Sequence, residues 1–226
     1  MNSGAFDPAA AIVPWAHAQG AWVHVDGAFG LWAAASPARR HLMAGYAECD
    51  SWAVDAHKWL NVPYDSGLAL VRDGAALRRA MSISAAYLPE HAAREPYDHT
   101  PEASRRARGV DIWAALSYLG REGVADLVER CCRHAERFAA GLGEAGYAIL
   151  NEVVLNQVLV SFGADEVTER VIAGVQAEGT CWCGGTVWHG RRAMRISLSS
   201  WATTDDDVER SLAAILRVAR TNAVEG

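Results

Sequence analysis

The sequence predicts an α/β to α+β fold, on three observations. Apolar strand-like runs alternate with helix-like stretches along the whole chain. Two of those runs lead to Asp26 and to Lys58, and the 32 residues between them match the span of a βαβ repeat. At 226 residues and 51% hydrophobic, the chain can bury a sizeable core in one large or two small domains.

Taken in order, residues 2–7 predict neither a helix nor a full strand, and read as the end of a strand and loop begun further upstream. Pro8, in a first turn capped by Asp7, opens a helix through Ile12, Val13, Trp15 and Ala16 that stops at Gly20. A strand follows over 22–25. Ser36-Pro37 starts a short helix over 38–46, and Trp52, Ala53 and Val54 form the strand at whose end Lys58 is expected. Residues 67–72 are a compact strand stopped by Asp73-Gly74, followed by a helix over 75–81. Residues 82–108 carry Pro89, Pro96 and Pro101 and no periodicity. A loop of that length is of the mobile kind that covers active sites.

Ile112, Leu116 and Leu119 share one helix face until Gly120 breaks the run; Leu127, Cys131, Phe138 and Leu142 mark a second helix ending near Gly143. Strands over 147–150 and 158–162, a helix over 165–178 stopped by Gly179, and strands over 186–188 and 193–198 come next. The cluster 203–207 caps a closing helix over 208–220, whose last turn carries Arg217 and Arg220 as the dipole favours. A composition shift near Gly109 divides the chain into 1–109, part of a parallel-sheet domain with the loop 82–108, and 110–226, a smaller domain of helices on a short sheet.

The net charge of −6 argues against a nucleic-acid partner, and the basic cluster Arg105, Arg106 and Arg108 reads as a solvated or phosphate-pairing patch. No apolar run is long enough to span a bilayer and no signal pattern opens the chain. Five cysteines, among them Cys131-Cys132 and Cys181-Trp182-Cys183, match no familiar metal spacing. They read as reduced, mostly buried thiols of a cytoplasmic protein, with no metal site.

Chemistry concentrates at the only lysine in the chain. A buried ammonium is costly, so an amine held among apolar neighbours is paired with a carboxylate or used as a nucleophile. Asp26 ends its own strand one βαβ unit earlier, and α/β folds bind ligands at the carboxyl ends of their strands. A lysine that forms an imine and a carboxylate that keeps a pyridine nitrogen protonated suit pyridoxal phosphate.

His24-Val25-Asp26-Gly27-Ala28-Phe29-Gly30 followed by Asp55-Ala56-His57-Lys58-Trp59-Leu60-Asn61 resembles the group II pyridoxal-phosphate-dependent amino acid decarboxylases, which include aromatic amino acid and glutamate decarboxylases. The likeness continues through 104–109, Ser-Arg-Arg-Ala-Arg-Gly, and Met194-Arg195-Ile196-Ser197. It implies a fold type I, aspartate-aminotransferase-like enzyme with pyridoxal 5'-phosphate as cofactor, an L-amino acid as substrate and a homodimer as the working assembly. By resemblance Lys58 forms the imine, Asp26 pairs with the pyridinium nitrogen, Ala28 lies against one face of the ring and His57 contacts the phosphate. Arg195 reaches the substrate carboxylate. The proton donor of the mobile loop falls to Tyr97 or, on a different alignment, His99, with Tyr87 third.

The chain departs from the family in length. The expected phosphate-binding turn and the ring-stacking histidine have no counterpart before Asp26, so the polypeptide alone is expected to be an incomplete decarboxylase. The rival readings are another fold type I reaction, such as transamination or carbon–sulfur lysis, and an inactive truncated paralogue that acts only as a dimerising partner.

Overall fold

A computed structural model of the chain describes residues 2–83 and 93–223. Helix α1 (Ala9–Ala18) is followed by strand β1 (His24–Asp26). Pro8, not Asp7, occupies the cap position of α1, without a side-chain cap bond. Asp7 acts through its backbone instead: its carbonyl accepts from the Ala9 N–H at 2.8 Å and its N–H donates to the Tyr46 hydroxyl at 3.1 Å.

Strand β2 (Ser51–Asp55) lies parallel to β1, with Asp26 opposite Ala53. The crossover between them contains three 3-10 segments, Gly30–Ala35, Arg40–Met43 and Tyr46–Glu48. These replace the helix expected over 38–46. Gly45, at φ +83°, lies so close to the backbone of Ala9 and Ala10 that a side chain there would strike α1, and the left-handed turn it makes interrupts any continuous helix. Arg39 fastens the crossover from below, donating to the Val154 carbonyl at 2.9 Å and to Glu136 at 2.8 Å.

One helical turn, α2 (Ala56–Trp59), follows β2 directly. Strand β3 (Gly67–Val71) then pairs antiparallel to β2, giving a three-stranded sheet in the order β1-β2-β3. The sheet is therefore mixed, not wholly parallel. The connection after β2 is too short for the crossover of a dozen or more residues that a parallel return needs. Helix α3 (Gly74–Met81) is capped by Asp73, whose carboxylate accepts from the Ala75 and Ala76 amides at 2.9 and 3.1 Å.

Helix α4 (Arg108–Glu144) is the long element of the chain, kinked at Gly120, which has φ 61° and ψ −175°. Beyond it lie β4 (Ala148–Ile149), β5 (Gln157–Ser161), helix α5 (Asp165–Glu178), β6 (Gly184–Trp188), β7 (Arg191–Ser197) and helix α6 (Asp205–Ala223). The second sheet is antiparallel throughout, in the order β4-β5-β7-β6. His189 and Gly190, both at positive φ, make the two-residue turn between β6 and β7. Thr204 and Asp207 cap α6 reciprocally: the Thr204 hydroxyl accepts from the Asp207 amide at 3.2 Å, and the Asp207 carboxylate accepts from the Thr204 amide at 3.0 Å.

Every residue of β5 is buried. Its Val158 and Val160 pack with Phe138 and Leu142 of α4, Val171 and Val175 of α5, Met194 of β7 and Leu212 and Ile215 of α6. The first two-thirds of α4 face the other way. Ile112 and Val124 pack on Ala56 and Leu60, while Leu127, Val128, Cys131 and Cys132 pack with Ala33, Trp59 and Leu155. Trp59, one residue after the lysine, is 1% exposed, and burying a side chain of that size contributes roughly 2–3 kcal/mol. Among the described residues, no helix is long and apolar enough to cross a membrane.

Candidate active site

Two parallel strands in register, β1 and β2, deliver Asp26 and the Lys58 turn to the same end of the sheet. Asp26 is exposed, and its carboxylate accepts a 3.3 Å hydrogen bond from the Ala28 amide in the turn that follows. Gly27 is required there, because a Cβ would run into Leu31. Ala28 is buried, and Phe29 and Gly30 lead into the first 3-10 segment.

Lys58 does not sit at the strand end itself. It lies within α2, the helical turn that begins one residue after β2 stops. That turn brings Lys58 Nζ back to the Asp55 carboxylate at 2.7 Å, an i,i+3 pair with both side chains about one-third exposed. A pair so exposed contributes only about 0.2–1 kcal/mol, so it positions the amine more than it stabilises the fold. The ammonium also lies 5.0 Å from the centroid of the Phe29 ring. Phe29 in turn lines the same cleft as Asp26, Gly27 and Gly30, so one ring borders both the amine and the carboxylate's surroundings.

His57 is fixed from the turn after α2. Its Nδ1 donates to the Ser66 carbonyl at 3.0 Å, an oxygen that also accepts from the backbone amides of Ala56 and His57. Nε2 is left facing Asp55 at 3.9 Å, and the Tyr64 ring lies 4.4 Å from the imidazole, centroid to centroid. Asn61, at φ 54°, ends the turn. Its side-chain amide donates to the carbonyls of Trp59 at 2.7 Å and Ser199 at 2.8 Å, tying the lysine turn to the segment after β7. Asp65 reaches Arg108 at 2.7 Å, and the guanidinium holds the Asp65 carboxyl below the usual carboxylate range.

The remaining residues singled out by the sequence stand on other elements. Tyr97 and His99 belong to a 3-10 turn, Pro96–His99, held to α3 by the 3.1 Å ion pair between Asp98 and Arg78. Tyr97 is half-buried, and His99 Nδ1 donates to the Glu95 carbonyl at 3.1 Å. Arg195 is half-buried in β7, opposite Leu159 of β5 and Gly184 of β6. Tyr87 lies outside the described residues. The structure thus gathers Asp26, Ala28, His57 and Lys58 at one end of the first sheet, and adds Phe29, Asp55, Asn61 and Tyr64 to them.

The donor set fits pyridoxal phosphate: one amine, one exposed carboxylate at the end of the adjacent parallel strand, a small residue in the turn after that carboxylate and an imidazole next to the amine in sequence. A family model described as the pyridoxal-dependent decarboxylase conserved domain matches residues 1–164. The chain is 28% identical over 205 residues to the histidine decarboxylase of Drosophila melanogaster, a match covering 88% of this chain and 24% of that protein. It is 28% identical over 217 residues to the aromatic-L-amino-acid decarboxylase of Drosophila lebanonensis, covering 93% of this chain and 53% of that protein. Among solved structures, Oryza sativa TDC with PLP and tryptamine superposes at a TM-score of 0.91 and 23% identity, over 97% of this chain and 49% of that one. Mouse CSAD in apo form superposes at 0.87 and 21% identity, over 97% and 50%. The chain spans between a quarter and about half the length of these curated relatives.

Proposed function

Because the chain belongs to the pyridoxal-dependent decarboxylase family, with its fold type I architecture and pyridoxal phosphate as cofactor, we propose that Asp26 and Lys58 are the core of a site that removes the α-carboxylate of a small L-amino acid. The observation that carries the reading is the in-register parallel pairing of β1 and β2, which sets a carboxylate and the only lysine at one end of one sheet. When bound, the cofactor supplies an electron sink for the bond that breaks at the substrate's α-carbon.

The chain's own residues divide the remaining work. Lys58 supplies the amine for covalent attachment, and Asp55 and Phe29 hold that amine in place beforehand. Asp26 keeps a proton on the ring nitrogen by ion pairing, and Ala28 leaves room beside it. His57, with Nδ1 committed to Ser66, is assigned to hold the phosphate through its remaining ring nitrogen. Arg195 is assigned to the substrate carboxylate, for which a guanidinium is the suited bidentate donor. Tyr97 or His99 is assigned to return a proton to the α-carbon. A second copy of the chain is the proposed partner, supported by the exposed Trp113 and Tyr118 on α4.

Borohydride reduction of the chain with pyridoxal phosphate, followed by peptide mapping, tests the reading. Label on the Lys58 peptide is expected; label confined to the α-amino group overturns it. Asp26→Asn should keep the reducible attachment while losing most amine formation from any amino acid that the unaltered protein decarboxylates. Keto acid in place of amine and carbon dioxide would move the protein to a transaminase.

A further inference from the structure

The Cys181-Trp182-Cys183 segment takes no part in the site around Lys58. It lies just before β6, and both thiols line a surface depression shared with Trp182, Ser197, Asp207 and Ser211. Cys181 is half-buried and Cys183 is buried. The two thiols and Ser211 border the same depression, and Cys183 and Ser211 are the neighbours that favour the charged form of the Cys181 thiol. These neighbours bring the Cys181 thiol down to about 7, while the proximity of Cys181 and burial push Cys183 up. Cys49, Cys131 and Cys132 differ on both counts. All three are buried, and burial pushes each thiol up.

We propose that Cys181 and Cys183 form a peroxide-reactive dithiol, with Cys181 as the attacking sulfur and Cys183 as the resolving one. The Cys181 thiolate attacks one oxygen of hydrogen peroxide; the O–O bond breaks, and the departing hydroxide takes up a proton to become water. Cys181 then carries a sulfenic acid. The Cys183 sulfur attacks it, the S–O bond breaks, and the hydroxide leaves with the Cys183 proton as a second water. Two thiols are oxidised to one disulfide, and one peroxide is reduced to two waters.

The surroundings select a small neutral oxidant. Glu178 opposes negative charge at Cys181, and Asp207 lines the same depression. Both repel an anionic disulfide such as oxidised glutathione, and neither repels hydrogen peroxide. Trp182, between the two thiols in sequence, is 75% exposed and lines the same depression.

The test uses the full chain, reduced and then given one equivalent of hydrogen peroxide at neutral pH, with intact mass and unreduced peptide mapping as readouts. The unaltered chain is expected to lose the mass of two hydrogens, with Cys181 linked to Cys183. Cys183→Ser should stop at the sulfenic acid, captured on Cys181 by dimedone. Cys181→Ser should react at least about tenfold more slowly. Cys49, Cys131 and Cys132 serve as internal references in the unaltered chain, so the result does not depend on a variant folding. Oxidation mapping to those three first, or Cys181 reacting no faster than in the denatured chain, overturns the proposal. Faster reaction with oxidised glutathione than with peroxide overturns the choice of oxidant.

Discussion

Lys58 is restrained from two sides before any ligand arrives, by the Asp55 carboxylate at 2.7 Å and by the Phe29 ring at 5.0 Å. An exposed ion pair contributes about 0.2–1 kcal/mol, which corresponds to roughly a 1.4- to fivefold change in the ratio of paired to unpaired side chain. Asp55→Asn should therefore raise the initial rate at which pyridoxal phosphate is trapped on Lys58 by borohydride, by up to about fivefold. An unchanged rate would show that Asp55 does not restrain the amine. Lys58 and Asp26 were legible in the sequence because both belong to compact motifs a βαβ unit apart. Asp55 was not recognised, although it stands in the same motif. An i,i+3 partnership matters only if 56–59 turns as a helix, and the reading of a strand running on to the lysine concealed it. Asn61 had a usable signal, since asparagine just past a helical turn favours the left-handed conformation. Its bond to the Ser199 carbonyl spans 138 residues of sequence and no local pattern reports it.

At the scale of elements, the way α6 packs on its neighbours depends on two glycines. A Cβ on Gly141 of α4 would strike Leu212, and one on Gly174 of α5 would come within 2.7 Å of Val218. Alanine normally stabilises a helix interior by up to about 1 kcal/mol relative to glycine. At these two positions overpacking should reverse the sign, with Gly141→Ala and Gly174→Ala each costing about 1–3 kcal/mol in denaturant unfolding. Gly143→Ala, whose nearest neighbour would be Ile149 at 4.0 Å, should be neutral or stabilising. Equal effects at all three would remove close approach as the cause. The helices of the second half were legible from their apolar periodicity and caps, and α5 falls on the residues its pattern marks. The segment 38–46 misled because its composition suits a helix, while the left-handed Gly45 answers to contact with α1, which the local sequence does not display. The direction of β3 was legible in principle from the length of its connection, but its apolar composition suits either direction.

For the whole molecule, ionisation limits stability at both ends of the pH scale. Asp50 is held below the usual carboxylate range by the Val23 amide and His17, Glu178 by the Thr180 amide and Arg217, Asp207 by Thr204 and Arg210, and Glu209 by Arg137. Their folded-state values lie below their unfolded ones. The stability they add is present above the usual carboxylate range and is lost as pH falls through the lowered values. Burial acts oppositely on Cys131 and Cys132, the latter pushed up to about 12. Above the ordinary thiol range the unfolded chain ionises while the folded chain does not, so stability falls as pH rises from about 9 towards 12. Melting temperature against pH should therefore show a plateau with two falling limbs, and Cys132→Ala should flatten the alkaline one; an unaltered alkaline slope would count against it. The kink in α4 bears on the molecule as a machine. The 37 residues of α4 form two helical arms that meet at one joint, Gly120. Ile112 grips Ala56 and Leu60 on one side of that joint, Leu127 grips Trp59 on the other, and Arg108 holds Asp65 at the free end. The lysine turn is therefore held from both sides of the kink, and its position depends on two helical arms at once rather than on one.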